Sequence, residues 1–419
     1  MMLLPLAFAM TPTWDALASK LPSVSQPHPP VLDTVLESSD RPPKEGLTLF
    51  RERHGWCPYS EKVWLALELK GLDFNTVLID NTGGGRPSWY GGQTPQVTWP
   101  DGKKQGESMD IVKALDARYP NSRPLWPPAG ASASDVSEMV SAFRRAFPSN
   151  ARPSSRAAFL FSYDGPLPRS TFEKALDATE ALLATHSGPF FVGDELSAAD
   201  VSWAPFLERY AAQLPCLHDG LLPRDASRWP RLAEWYDAMD SVPEYACRVK
   251  GDGESWARVL TMQGYGNAGS VPGTTDFIAE AAAGDAAGLW SSFEGSRPHV
   301  AASAAEEAAA RIVGNFPALV ADATARKVGA SGSASADPFS ADECDAGLRA
   351  VASALMEGDG ALDDEARGLA AALVSYLVGR MCVPRDMGVP AALALRRMAT
   401  SLGGEDESDG GNSSIRKYD

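Results

Sequence analysis

A chain of 419 residues, 44% of them hydrophobic, has room for two or three domains and the composition of an ordinary globular protein. Its formal net charge of −16 argues against nucleic acid and against an anionic membrane surface as partners, because both are gripped through clustered Lys and Arg. Cys57, Cys216, Cys247, Cys344 and Cys382 are odd in number and show neither CxxC nor His–Cys spacing, which speaks against a disulfide framework and against a metal site.

Residues 1–45 read as a mostly irregular extension outside the fold. The opening MMLLPLAFAM is apolar and Ala7-Phe8-Ala9 has the look of a signal-peptidase site, but no Lys or Arg precedes Lys20, so the charged start of a secretory signal is missing. A short helix over TPTWDALASKLPS, capped by Thr11 or Thr13, is followed by an extended spacer at Pro27 to Pro30. The segment is only partly like a transit peptide, so the expected compartment is cytoplasmic, with a plastid as the alternative. No apolar run reaches the ~18 residues that a membrane span needs.

Chemistry and structure first coincide in LTLFRERHGWCPYS, Leu47 to Ser60. Leu47, Leu49 and Phe50 predict a buried strand, and the helical pattern from Tyr59 to Lys70 follows at once. Pro58 suits a first helical position, which makes Cys57 the N-cap and turns its sulfur toward the free amides of Tyr59 and Ser60. The partial positive charge of a helix start lowers a thiol pKa from about 8.5 to as little as ~3.5, so Cys57 is expected to be a thiolate, helped by Arg53, His54 and Lys62. Ser60 stands where a dithiol motif has its second Cys, so a mixed disulfide at Cys57 must be resolved by an external thiol.

Asp73 to Asp80 (DFNTVLID) alternates like a strand, and RPSWY, Arg86 to Tyr90, comes next. GGQTPQV, Gly91 to Val97, leads to a turn at Pro100-Asp101-Gly102 and then to Gly106-Glu107-Ser108-Met109-Asp110-Ile111. With Cys57-Pro58-Tyr59 ahead of it, this succession resembles the cysteine-type glutathione transferases: the omega, lambda and dehydroascorbate-reductase-like classes. The resemblance covers about half the chain, from Gly46 to roughly Lys250. It implies an α/β plus all-α fold: a thioredoxin-like, glutathione-binding domain over 46–120, a helical glutathione-transferase domain over 129–250, and an additional α-helical extension.

What the family does at each motif carries over residue by residue. Arg86 to Tyr90 matches the family's short second helix. Thr94-Pro95 matches its cis-proline, which leaves the preceding backbone free to pair with the cysteinyl part of glutathione; only X–Pro bonds take the cis form cheaply. Glu107-Ser108 matches the acidic residue and hydroxyl that bind the γ-glutamyl end, and an ammonium against a carboxylate, with a carboxylate against helix-start amides, is sound chemistry. Arg86 falls where a basic residue meets the glycine carboxylate, and Tyr59 where an aromatic flanks the tripeptide. Two departures stand out: Gln93-Thr94 replaces the family's Lys followed by Val or Ile, and Asn81 to Gly85 (NTGGG) is glycine-rich.

YPNSRPLWPP, Tyr119 to Pro128, reads as a linker. Helical periodicity then predicts Ser134 to Phe147, Arg169 to Thr185, Ser197 to Leu214 and Trp229 to Met239. Leu196-Ser197-Ala198-Ala199-Asp200-Val201 supplies a capping box with an apolar staple. Trp56, with Phe159, Phe161 or Tyr163, is a candidate lining for a substrate cleft above Cys57, whereas His186 and His218 read as turn residues. Beyond Lys250 the family pattern stops. The extension over 270–402 is Ala-rich, with helices at Thr275 to Phe293, Ala301 to Lys327, Asp345 to Glu357, Leu362 to Arg380 and around Pro390 to Leu402. Gly329 to Asp337 reads as a flexible linker, and 403–419 as a disordered acidic tail.

These readings converge on a thiol transferase or reductase that uses glutathione as co-substrate and needs no metal. Cys57 would attack a small-molecule or protein disulfide, as in deglutathionylation, or another oxidised substrate, as in dehydroascorbate-type reduction. The alternatives are a scaffold that keeps the transferase fold without turnover and, further off, conjugation of glutathione to electrophiles. The resemblance implies a homodimer for some classes and a monomer for others. In the preferred reading the extension packs on the chain's own transferase domains; in the other, the basic stretch Cys382 to Met398 docks a protein partner.

Overall fold

In the computed structural model the residues described are 11–21, 46–81, 86–147, 160–162, 165–261, 286–295 and 300–403. They form two compact units, one built from residues 46–261 and the other from residues 11–21 and 286–403.

The first unit begins with β1, Thr48–Glu52, whose five residues are all buried, and α2, Pro58–Leu69, with Pro58 in its first turn and Cys57 as N-cap. The short helix α1, Trp14–Lys20, belongs to the other unit. A return to β2, Asn75–Ile79, makes β1 and β2 parallel, the pairing that requires a crossover helix between them. β3, Gln96–Thr98, runs antiparallel on the other side of β1, and β4, Lys104–Gln105, completes the sheet in the order β2-β1-β3-β4. The Asp101 turn that joins the last two strands is closed by the Gly102 N–H on the Trp99 carbonyl at 2.8 Å. RPSWY is not helical: Pro87 leaves one turn, closed by the Tyr90 N–H on the Pro87 carbonyl at 3.0 Å.

α3, Ser108–Arg118, packs on α2. The helical part follows as α4, Ala133–Ala146; a two-strand ribbon, β5 Phe161–Ser162 and β6 Gly165–Pro166; α5, Arg169–Leu183; α6, Ala198–Leu217; α7, Pro230–Asp240; a π-turn at Tyr245–Val249; and α8, Gly253–Thr261. Ser197 and Asp200 form the expected capping box at the start of α6. Asp200 does more than cap. It is fully buried, and its carboxylate accepts from the Ser197 N–H and hydroxyl, from the Phe191 N–H, and from Trp235 Nε1 at 2.9 Å. Phe143, Phe147, Phe191, Trp203, Phe206 and Tyr210 pack ring against ring around α6.

The second unit is all helical: α1, Trp14–Lys20; α9, Ala286–Glu294; α10, Ala304–Ala325; α11, Ala341–Glu357; α12, Asp364–Arg380; and α13, Val389–Ser401. Its core joins Leu17 to Ile312, Leu348, Val351, Leu373 and Leu395. Residues 11–21 are therefore part of a fold and not outside one. Trp14 stacks on Phe316 at 4.4 Å and donates to Asp345 at 2.7 Å, while Arg349 donates to the carbonyls of Thr11 and Pro12. Thr13 is the N-cap.

Gly329 to Asp337 is also not a slack linker, since Gly329, Ser335 and Phe339 N–H groups bond the carbonyls of Ser333, Lys327 and Val328. In the Cys382 to Met398 stretch, Arg385 is paired with Asp386, and Asp386 accepts the Cys382 N–H at 2.8 Å, so this loop is held in the unit's own core. Phe159, Tyr163, the glycines after Asn81, most of Thr275 to Phe293 and the acidic tail lie outside the described residues. No described helix is long and apolar enough to cross a membrane.

Because Asp200 is the shared acceptor for four buried donors, Asp200→Ala should destabilise the first unit by about 3–5 kcal/mol, well beyond the ~1 kcal/mol of a lost cap. A urea midpoint followed by Trp fluorescence measures this, and a loss of cap size alone would mean that the Trp235 and Phe191 donors find other partners.

Candidate active site

β1 ends by delivering Glu52, and the chain then turns through Arg53 to Trp56 into α2. Glu52 is buried, and its carboxylate accepts the His54 N–H at 2.8 Å and the Trp56 N–H at 2.9 Å, which fixes the loop before Cys57. Arg209, fully buried on α6, donates to the Trp56 carbonyl at 3.2 Å and to Glu61 at 2.8 Å, and pairs with its neighbour Glu208 at 3.1 Å. Its guanidinium also lies 3.9 Å over the Trp256 ring. Trp56 is thus held by its backbone, while its ring stacks on His54 at 4.3 Å.

Cys57 is 5% exposed, and its thiol donates to the Thr94 carbonyl at 3.9 Å. The expected fall in its pKa does not occur. Burial pushes the thiol above its ordinary value, and the charge of Glu52 adds to the rise. The Tyr59 and Ser60 amides and the Ser60 hydroxyl pull in the other direction without overcoming burial, and the sulfur closes no cap hydrogen bond. Among the described residues Ser60 has no other partner for its hydroxyl, which leaves that donor at the disposal of the sulfur.

The Thr94–Pro95 bond is cis, and Thr94 is tied to Asn81 and through it to Arg86. Asn81 Nδ2 donates to Thr94 Oγ1 at 2.9 Å, and Arg86 donates to Asn81 Oδ1 at 3.0 Å while its guanidinium lies 5.3 Å from the Tyr90 ring centre. Cys57, Thr94, Pro95 and Arg86 are therefore one connected group, with Asn81 the link. Tyr59 stands edge-on to Phe206 at 5.9 Å.

Glu107 and Ser108 reach the same end of the sheet by register. Phe50 pairs with Gln96 and Val97 with Gln105, so the chain leaves β4 beside the point where Thr94-Pro95 enters β3, two strand spacings or about 10 Å from β1. Glu107 is the N-cap of α3 at φ 60° and ψ 105°, a strained backbone for a residue with a Cβ, and neither it nor Ser108 makes a side-chain hydrogen bond among the described residues.

Phe161 is buried in the β5–β6 ribbon, and His218 binds the Leu167 carbonyl at 3.0 Å with its pKa lowered by burial. Among the described residues no group of three or more His, Cys, Asp or Glu is placed to hold a metal ion. Sequence reasoning missed Asn81, Glu52 and Arg209. For Arg209 a signal was present, since Glu208-Arg209 is a charged pair in the middle of the largely apolar Ala198–Leu217 helix, whose one other charge is the capping Asp200.

A family model described as "Glutathione S-transferase, N-terminal domain" matches residues 56–118, and one described as "Glutathione S-transferase, C-terminal domain" matches residues 169–238. Probable glutathione S-transferase DHAR1, cytosolic, of Oryza sativa subsp. japonica is 32% identical over 180 residues, which cover 41% of this chain and 75% of that protein. Glutathione S-transferase DHAR2 of Arabidopsis thaliana is 37% identical over 161 residues, 36% of this chain and 66% of that protein, so the match spans just under two thirds of this relative's length. Among solved structures, glutathione transferase Omega 1C from Trametes versicolor is similar at 21% identity with a TM-score of 0.38, over 47% of this chain and 87% of that one.

The sign of the Glu52 effect is testable. Glu52→Gln removes a negative charge that opposes ionisation, so the pH at which Cys57 alkylation by iodoacetamide turns over should fall, while stability drops by about 1–2 kcal/mol because an amide has one acceptor oxygen for two N–H donors. An unchanged turnover would show that the Glu52 charge does not reach the sulfur.

Proposed function

The chain belongs to the glutathione S-transferase family, and from that premise we propose that it is a glutathione-dependent thiol transferase acting through Cys57 on disulfides. The Cys57 thiolate attacks a glutathione mixed disulfide at the glutathione sulfur. A Cys57–glutathione disulfide forms, the old S–S bond breaks, and the substrate leaves as a thiolate that takes a proton. A second glutathione thiolate then attacks that disulfide, releasing oxidised glutathione and restoring the Cys57 thiolate.

The observation that carries this reading is the pairing of the Cys57 thiol with the Thr94 carbonyl at 3.9 Å, next to Ser60 where a second sulfur would sit. A lone sulfur at that place can form a mixed disulfide and has no neighbour with which to close an internal one; all five cysteines are free. It also occupies the position where a conjugating enzyme would seat the sulfur of glutathione itself, which disfavours conjugation. In this reading the Thr94 backbone beside cis-Pro95 pairs with the cysteinyl part of glutathione. Glu107 and Ser108, which have no partner of their own among the described residues, receive the γ-glutamyl end at the start of α3. Arg86, steadied by Asn81 and Tyr90, meets the glycine carboxylate, and Tyr59 flanks the tripeptide. A reducing compartment, cytoplasmic or plastid, suits an exchange that consumes glutathione.

Glutathione-dependent reduction of a small mixed disulfide by wild type and Cys57→Ser tests the reading. Activity should fall at least ~100-fold in the variant, and equal idleness of both proteins would favour a scaffold. Glu107→Gln and Ser108→Ala should each raise the KM for glutathione about 10-fold with kcat nearly kept, the size of one charge-assisted hydrogen bond. An unchanged KM would move the γ-glutamyl end elsewhere.

A further inference from the structure

Lys62 is on α2, five residues after Cys57, and only 3% exposed. Its amine is enclosed by three rings, 4.7 Å from the centre of Phe143, 5.1 Å from Phe206 and 5.5 Å from Tyr59, and it donates one hydrogen bond, to Ser202 Oγ at 3.3 Å. Among the described residues no carboxylate lies within ion-pair distance of it. A buried ammonium with a hydroxyl and ring faces for company costs stability unless an anion completes the site. Lys side chains on a helix lean toward its N-terminus, where Cys57 caps the first turn.

We propose that Lys62 is the buried counter-ion of Cys57: its caged ammonium is the positive charge against which the thiolate of the reaction forms. This rests on the assignment of Cys57 as the reacting thiol. The amine stands at about 7 against an ordinary 10.5: burial lowers it, Arg144 on α4 lowers it further, and the value already includes the raising by Cys57, the strongest of the charges acting on it, and by Glu61, whereas the sulfur's own shift is set by burial, Ser60, Glu52 and the Tyr59 amide. Just above neutrality the amine is a free base, so the proton that leaves the sulfur is taken up by Lys62 and the site gains no net charge.

The remaining charges around α2 are engaged elsewhere. Glu52 on β1 faces the loop amides and opposes the thiolate, and Arg51 lies over Trp64. Glu61 and Glu208 share Arg209, Arg248 of the π-turn faces Trp64 and Glu68, and Lys70 binds Asp116 of α3.

Iodoacetamide alkylation of Cys57 followed against pH, with Cys57→Ser as the blank, tests the pair in the full chain. Lys62→Met should move the turnover at least one pH unit higher, a roughly 10-fold loss of rate on the rising limb, and Lys62→Arg, which keeps a charge, should stay near or below wild type. A turnover unmoved in Lys62→Met overturns the proposal.

Thermal melting adds a signature that a purely structural lysine would share only in part. Because the folded value is below the unfolded one, the amine costs stability most at low pH, and Lys62→Met should melt higher at pH 7 with a gain that shrinks toward pH 10.5. Should Lys62 variants fail to fold, the reciprocal measurement uses wild type and Cys57→Ser: the Lys62 Cε resonance must titrate lower when the thiol is gone, and an unchanged titration also overturns the pair. Loss of disulfide reductase activity in Cys57→Ser with no Lys62 effect rejects the counter-ion alone, whereas retained activity in Cys57→Ser rejects the reacting thiol itself.

Discussion

Everything at the candidate site depends on one buried guanidinium. Arg209 reaches from the middle of α6 to the carbonyl of Trp56, the residue before Cys57, and to Glu61 in the first turn of α2, so a single side chain ties the loop and the helix start to the helical part of the unit. It must also satisfy Glu208, whose other oxygen accepts from Tyr245 at 2.8 Å. Burial raises both carboxyls, and Glu61 pushes Glu208 up further. Such a cluster is weak evidence for stability, because taking its charges out of water consumes most of the Coulomb gain. Its value lies in geometry: there is one arrangement in which these groups are paired, and it sets where the sulfur stands.

The same burial governs the second half of the chain in a different way. There many alanines are interspersed among the larger core residues, so helices approach closely; a Cβ at Gly347 would stand 3.1 Å from Leu373 and 3.2 Å from Leu369. A bundle this tight leaves its rim to be finished by something else, and the N-terminal helix does so with Leu17 in the core and Trp14 on Phe316. Residues 11–21 and 286–403 thus share one unit, while the transferase unit is formed by residues 46–261 between them.

How much of this could be read from the sequence follows from the range of the forces involved. Pro58 at a helix start, the Ser197–Asp200 box and the alternation of Asn75–Ile79 are local, and each appears where local chemistry puts it. RPSWY fails for an equally local reason that a motif match conceals: four residues around Pro87 close one turn and cannot nucleate more. The sign of the Cys57 shift was beyond a local reading. The Tyr59 and Ser60 amides are visible in the sequence, but desolvation by elements packed over the sulfur from remote parts of the chain is not. Asn81 was hidden for the same reason, since its worth as a bridge between Thr94 and Arg86 exists only once the sheet brings them together.

A thiol held above its ordinary pKa changes how the proposed exchange is balanced. Nucleophilicity of a thiolate rises with its pKa, by about 0.4–0.5 logarithmic units per unit, so a Cys57 thiolate that is seldom formed is strong when it is. The cost falls on the second step, in which Cys57 must leave from its mixed disulfide, because a poorly stabilised thiolate departs slowly. Helix-start amides help both states of the sulfur only as far as burial allows, and Glu52 works against them. A positive charge that is present when the sulfur is negative, and absent when it is not, removes this conflict, since it favours departure without leaving an ammonium stranded among rings in the resting protein. That condition is met by an amine near neutrality and not by a permanently charged guanidinium. On this scheme the choice of Lys at position 62 is what lets a buried sulfur serve as both attacking and leaving group.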